Sequence, residues 1–260
     1  MKLSLSPEKL KLLTLGAGGL GLALRALLFL TGIDEKGLLE PGHIVSVLLW
    51  LVSIIVLAGL FLLTRKLEGS ADYTDAFPTS GLAPLGALAA AIGIGITAVS
   101  GFSRPSDLLT QLRNICGILT AVSMVFVAYC RLTGRKPVFL FHGILCVFMA
   151  LDLVCRYRQW SSDPQLQDYV FHLLACIFLM LTAYQQAAFD ADMGNHKILW
   201  LTSLIGVYLC CVSLWGGESL LYFLTGGIWA YCGISSLVPR RRRTRPTLTL
   251  EPDETGEETP

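Results

Sequence analysis

Ionisable side chains recur at one-turn spacing inside stretches that are otherwise apolar, and this combination is what points to chemistry in the chain. Arg25 follows Gly18 and Gly21 at i, i+3 and i+7, so the three share one helix face. Asp107, Gln111 and Asn114 recur at i, i+4 and i+7, with Arg113 off to one side of the stripe. Asp152 and Arg156 stand one turn apart, as do Asp168 and His172, while His43 and Glu218 each open an apolar stretch. Ionisable groups held inside lipid are costly and mark ligand or ion pathways by default. A guanidinium fork matches carboxylate and phosphate. Arg25, Gln111, Arg113, Asn114, Asp152, Arg156, Asp168 and His172 therefore form the candidate site, for a small polar or anionic ligand. The competing reading is structural. Asp152 and Arg156 make a favourable i, i+4 pair, Arg25 or Arg113 takes Asp107 or Asp168, and Arg25 alternatively snorkels to headgroups.

The remaining polar residues carry weaker signals. Tyr184, Gln185 and Gln186 read as interhelical hydrogen bonding, with an inner gate as the alternative. His142 and His196 are expected at the side opposite His43 and His172. Only the latter two are expected to be able to meet, which falls short of a metal site. The motifs HExxH, GxSxG and a phosphate-binding glycine loop do not occur. Ser100 and Ser123 have no matching histidine, and the last two apolar stretches contain no lysine. No catalytic residue, metal or cofactor is assigned. The eight cysteines all fall in or beside apolar runs, without a CxxC pair, and read as small packing residues.

The elements that must position these groups are long and oily. Apolar residues make up 53% of the 260 and charged ones only 15%, against about 25% charged in soluble domains; mean hydropathy is +0.62. A spanning helix needs about 20 mostly apolar residues, and eight windows qualify: 10–32, 43–64, 81–101, 108–130, 137–155, 168–189, 198–215 and 218–238. Their continuous apolarity lacks the alternation of barrel strands. The fold expected is an all-α, polytopic transmembrane bundle of about eight helices over residues 1–238, followed by a disordered cytoplasmic tail at 239–260. The last two windows, separated by Gly216 and Gly217, are the least secure pair. The first window is too long, and carries Arg25, to read as a cleaved signal peptide.

Lys and Arg placement sets the orientation. With both termini in the cytoplasm, fourteen fall in cytoplasmic segments and five outside, which assigns the chain to the cytoplasmic membrane. The run Arg240 to Arg243 reads as a topology anchor beside anionic headgroups. In the third window Ala89, Gly93, Thr97 and Gly101 repeat every fourth residue, a scaffold stripe or a homo-oligomer seam. Arg25 to His43 and Arg156 to His172 hint at two parallel halves.

The partners expected are the bilayer, a small polar or anionic ligand and a second copy through the third window, and not nucleic acid. The leading function is a small permease-like or transport-associated protein with an outward polar site. The runner-up is a membrane sensor or assembly subunit without transport. An enzyme acting on lipid-linked substrates ranks last, because no acid, base or metal set is visible.

Overall fold

In the computed structural model, the described residues are 7–32, 42–65, 67, 73–77, 81–103, 107–161, 169–215 and 220–237. They form helices α1 (Pro7–Thr31), α2 (Ile44–Thr64), α3 (Tyr73–Ala76), α4 (Leu82–Phe102), α5 (Leu108–Leu132), α6 (Phe139–Trp160), α7 (Val170–Asp190), α8 (His196–Val212) and α9 (Leu220–Ser235). The tail at 239–260, Asp168 and Glu218 lie outside the described residues. Six helices, α1, α2, α4, α5, α6 and α7, are long and apolar enough to cross a membrane. The seventh and eighth expected windows become α8 and α9, of 17 and 16 residues. At 1.5 Å per residue these rise only about 25 Å.

The start of α1 and the end of α2 lie at one pole of the bundle, called proximal here; the opposite pole is distal. Successive long helices run back and forth between them. Helices α4, α5, α6, α7, α8 and α9 pack in a closed ring in that order, except that α9 returns to α4, and α7 also touches α9 across it. Helices α1 and α2 sit outside the ring against α8. Leu199, Leu204, Tyr208 and Leu209 of α8 are wholly enclosed, whereas α2 leaves Ile44, Leu51, Ile54, Ile55 and Leu62 exposed. An apolar surface of that kind suits lipid rather than water.

Small residues decide how closely the helices approach. Gly18 and Gly21 lie against Cys211, Tyr208 and Val212, joining α1 to α8, and Ser53 of α2 hydrogen-bonds the Tyr208 hydroxyl at 2.8 Å. On α4, Gly86 meets Cys232 and Trp229 of α9, Gly93 meets Thr225, and Gly101 meets Asn114 of α5. The stripe therefore acts as scaffold within this chain, and the face carrying Gly93 is already occupied.

Helix ends follow local chemistry. Asp107 caps α5, accepting from the Thr110 N–H at 3.3 Å and its hydroxyl at 2.6 Å; Asn195 caps α8 through the N–H groups of Lys197 and Ile198. His43 caps α2 by accepting from the Val45 N–H. Helix α5 stops at Gly134, φ +67°, where the Arg135 N–H returns to the Cys130 carbonyl at 2.9 Å. Helix α7 stops the same way at Asp192, φ +57°, with the Met193 N–H on the Ala188 carbonyl. Both are left-handed terminations that satisfy late carbonyls, and both turn the chain at the proximal pole.

Candidate functional site

At the distal pole α5, α6, α7 and α9 converge on Asp152, which is 3% exposed. Arg156 Nε, one turn along α6, donates to Asp152 Oδ2 at 2.6 Å. The Arg156 guanidinium carbon also lies 4.7 Å from the ring centre of Tyr222 and 5.7 Å from that of Phe223, both on α9. Stacking on rings lets a buried guanidinium keep favourable contacts on its faces while its edge serves the carboxylate. From α5, Arg113 Nη1 reaches to 3.5 Å from Asp152 Oδ1, while its Nη2 and Nε donate to Asn114 Oδ1 at 2.8 and 3.2 Å. His172 of α7 packs edge-on to Phe223 at 5.2 Å. At the rim the Asp107 carboxylate pairs with Arg158 at 2.7 Å. The Thr110 hydrogen bond, then Arg158, hold the Asp107 carboxyl below the ordinary carboxylate range.

The expected stripe on the fourth window divides. Asp107 and Gln111 are exposed, Asn114 is buried, and Arg113, set aside by helical spacing, is the residue that reaches Asp152. The physical reason is side-chain length, since a long arginine leans over the turn next to its own. Asp107 is taken by Arg158 rather than by Arg25 or Arg113. Arg25 is 2% exposed and lies over Phe29 and Phe171 at 5.1 and 5.7 Å. Asp168 lies outside the described residues.

A second polar cluster, not anticipated from the sequence, occupies the proximal pole. His142 Nδ1 of α6 lies 2.5 Å from Asp190 Oδ2 at the end of α7, and both side chains are fully buried. Arg131, at the end of α5 and 7% exposed, lies over Phe77 at 4.0 Å and Tyr73 at 5.0 Å. Arg131 Nη1, Asp190 Oδ1 and His142 Nε2 are buried without a hydrogen-bond partner among the described residues. The segment around α3 is tied down by the Tyr73 N–H donating to Asp192 Oδ1 at 3.2 Å and by Phe77 edge-on to Phe189. Lys136 pairs with Asp192 at the surface. Burial pushes the Tyr73 hydroxyl up to about 12, against a smaller opposing effect of Arg131.

The sequence signal for this cluster is weak but present: Gln186 and Asp190 are at i, i+4, and His142 lies little more than one turn into the fifth apolar window. Arg131 and His196, which close one apolar stretch and precede another in the sequence, both lie on helices and are buried. All eight cysteines are free.

Fold and site together define a multi-pass helical membrane protein whose buried charges gather at two poles. No family model, curated protein or solved structure matches the chain.

Proposed function

We propose that the protein is a small permease-like membrane protein that binds a small anionic solute at the distal cluster, with that pole facing outward and both termini in the cytoplasm. The observation that carries this reading is Arg113. Its Nη1 stops at 3.5 Å from a carboxylate already engaged by Arg156 at 2.6 Å, and its side chain is 21% exposed. A fork in that position has donors to offer a carboxylate or phosphate arriving from the rim. The Arg156 and Asp152 pair, packed on Tyr222 and Phe223, holds the site in shape behind it. The Lys and Arg distribution supports the orientation.

The test is binding by protein reconstituted in phosphatidylcholine nanodiscs, with acetate and phosphate as probes and ammonium as the cationic control. Saturable binding of an anion, weakened tenfold or more by Arg113→Gln, supports the reading, and counterflow of the bound anion in proteoliposomes extends it to transport. Absence of anion binding to the wild-type protein removes the reading and leaves an assembly or sensor role in its place.

A further inference from the structure

Arg113 and Arg131 are 18 residues apart on α5, which is five turns of helix and a rise of about 27 Å. They therefore share one face of α5 at its two ends. The surroundings correspond as well. At each pole an aspartate is engaged by a neighbouring group, Arg156 at 2.6 Å for Asp152 and His142 at 2.5 Å for Asp190. The arginines of α5 differ in how far they close on that aspartate: Arg113 pairs with Asp152 at 3.5 Å, beyond hydrogen-bond contact, whereas among the described residues no ion pair within 4 Å joins Arg131 to Asp190. At each pole, too, a guanidinium lies on two rings, Tyr222 and Phe223 at the distal end and Tyr73 and Phe77 at the proximal end.

Burying a guanidinium without hydrogen bonds is costly. Arg131 has ring contacts beneath it but its Nη1 finds no hydrogen bond among the described residues, and Asp190 Oδ1 and His142 Nε2 are likewise unmatched. Opposite charges that are both buried and yet apart are complementary to an occupant that accepts from one and donates to the other. An oxyacid group does this: a carboxylic acid or a hydrogen phosphate accepts from Arg131 through one oxygen and presents its O–H to Asp190 or His142.

We propose that Arg131, His142 and Asp190 form a second binding station for a small oxyacid, at the pole opposite Arg113, so that one solute meets an α5 arginine at each end of its path. As a station on a path it presupposes the anion reading given above; as a binding site it does not. An anionic lipid headgroup carries the same chemistry, and the experiment separates the two sources.

Protein labelled with 15N in its arginine side chains, in phosphatidylcholine nanodiscs, is titrated with acetate and with inorganic phosphate while the guanidinium signals are followed by NMR. Arg113→Gln and Arg131→Gln assign the two signals; Arg131→Lys, which keeps the charge but loses the fork, guards against a merely misfolded variant. The expected result is saturable shifts of both signals, with the Arg131 response weakened tenfold or more in Asp190→Asn, and with the Arg113 response persisting both there and in Arg131→Lys.

A response confined to Arg113 overturns the second station and leaves the distal reading intact. A response confined to Arg131 supports the proximal site and removes the distal reading, and with it the path. Shifts that rise linearly without saturation at both arginines mean an adventitious ion only, and overturn the station. In phosphatidylglycerol nanodiscs, an Arg131 signal already displaced and indifferent to added anion assigns the site to lipid and overturns the solute station.

Discussion

His142 Nδ1 and Asp190 Oδ2 lie 2.5 Å apart with neither side chain reaching the surface, joining the first turn and a half of α6 to the last residue of α7. Two such atoms approach this closely only with a proton between them. The pair therefore fixes α6 against α7 at the proximal pole, where Asp190 Oδ1 has no hydrogen-bond partner among the described residues.

Removing one partner should cost more than removing both. His142→Phe leaves a buried carboxylate without its hydrogen bond and is expected to lower stability by about 3–5 kcal/mol, whereas His142→Phe with Asp190→Leu should recover most of that loss. Unfolding in mixed micelles, arranged as a double-mutant cycle, measures both. A double variant no more stable than the single one contradicts the expectation.

Gly93→Ala should destabilise by about 1–3 kcal/mol through overpacking, because a Cβ there collides with the Thr225 side chain of α9. Gly95→Ala, whose nearest neighbour is the Ala121 Cβ at 3.5 Å, should stay within about 0.5 kcal/mol of wild type or stabilise slightly. Thermal unfolding in detergent separates the two. Equal effects would mean that α4 does not approach α9 as closely as described.

Asp192 gives the proximal surface a pH dependence. Its carboxyl is held below the ordinary carboxylate range, first by the Lys136 hydrogen bond and then by the Tyr73 N–H. A folded-state value lower than the unfolded one means that the native state keeps the carboxylate charged to lower pH. The stability contributed is present above the ordinary range and is lost as pH falls through the depressed value. Between pH 7 and pH 3 the wild-type melting temperature should therefore fall more steeply than that of Asp192→Asn. Parallel curves would show that the contacts with Lys136 and Tyr73 do not hold in solution.

At the distal pole Asp152 competes with an incoming anion for Arg113. Asp152→Asn should therefore strengthen acetate or phosphate binding several-fold even as it loosens the junction, since Arg156 loses its ionic partner. Calorimetric titration of the folded variant reads the sign, and weakened binding would show that Asp152 shapes the site more than it competes.

Much of the architecture was legible because lipid imposes a simple rule: long apolar runs become helices, and six of the expected windows are long helices within a few residues. The pair Asp152 and Arg156 was legible for a similar reason, since a one-turn spacing on a helix is local information. Contacts between helices are not local. Nothing in the spacing of α5 says that Arg113 reaches Asp152 of α6, and nothing near residue 142 says that Asp190, 48 positions later, lies beside it. Arg131 was hidden by its position at a helix end, where a charge ordinarily faces water; here Tyr73 and Phe77 fold over it from the connection between α2 and α4.

The enclosure of α8 also has a consequence for biogenesis. Gly18, Gly21 and Ser53 leave the ribosome well before α8, and the residues they meet, Tyr208, Cys211 and Val212, are made about 155 to 193 residues later. At roughly 5–20 residues per second, α1 and α2 wait on the order of eight to forty seconds in the bilayer, holding open for their late partner a groove that lipid fills meanwhile.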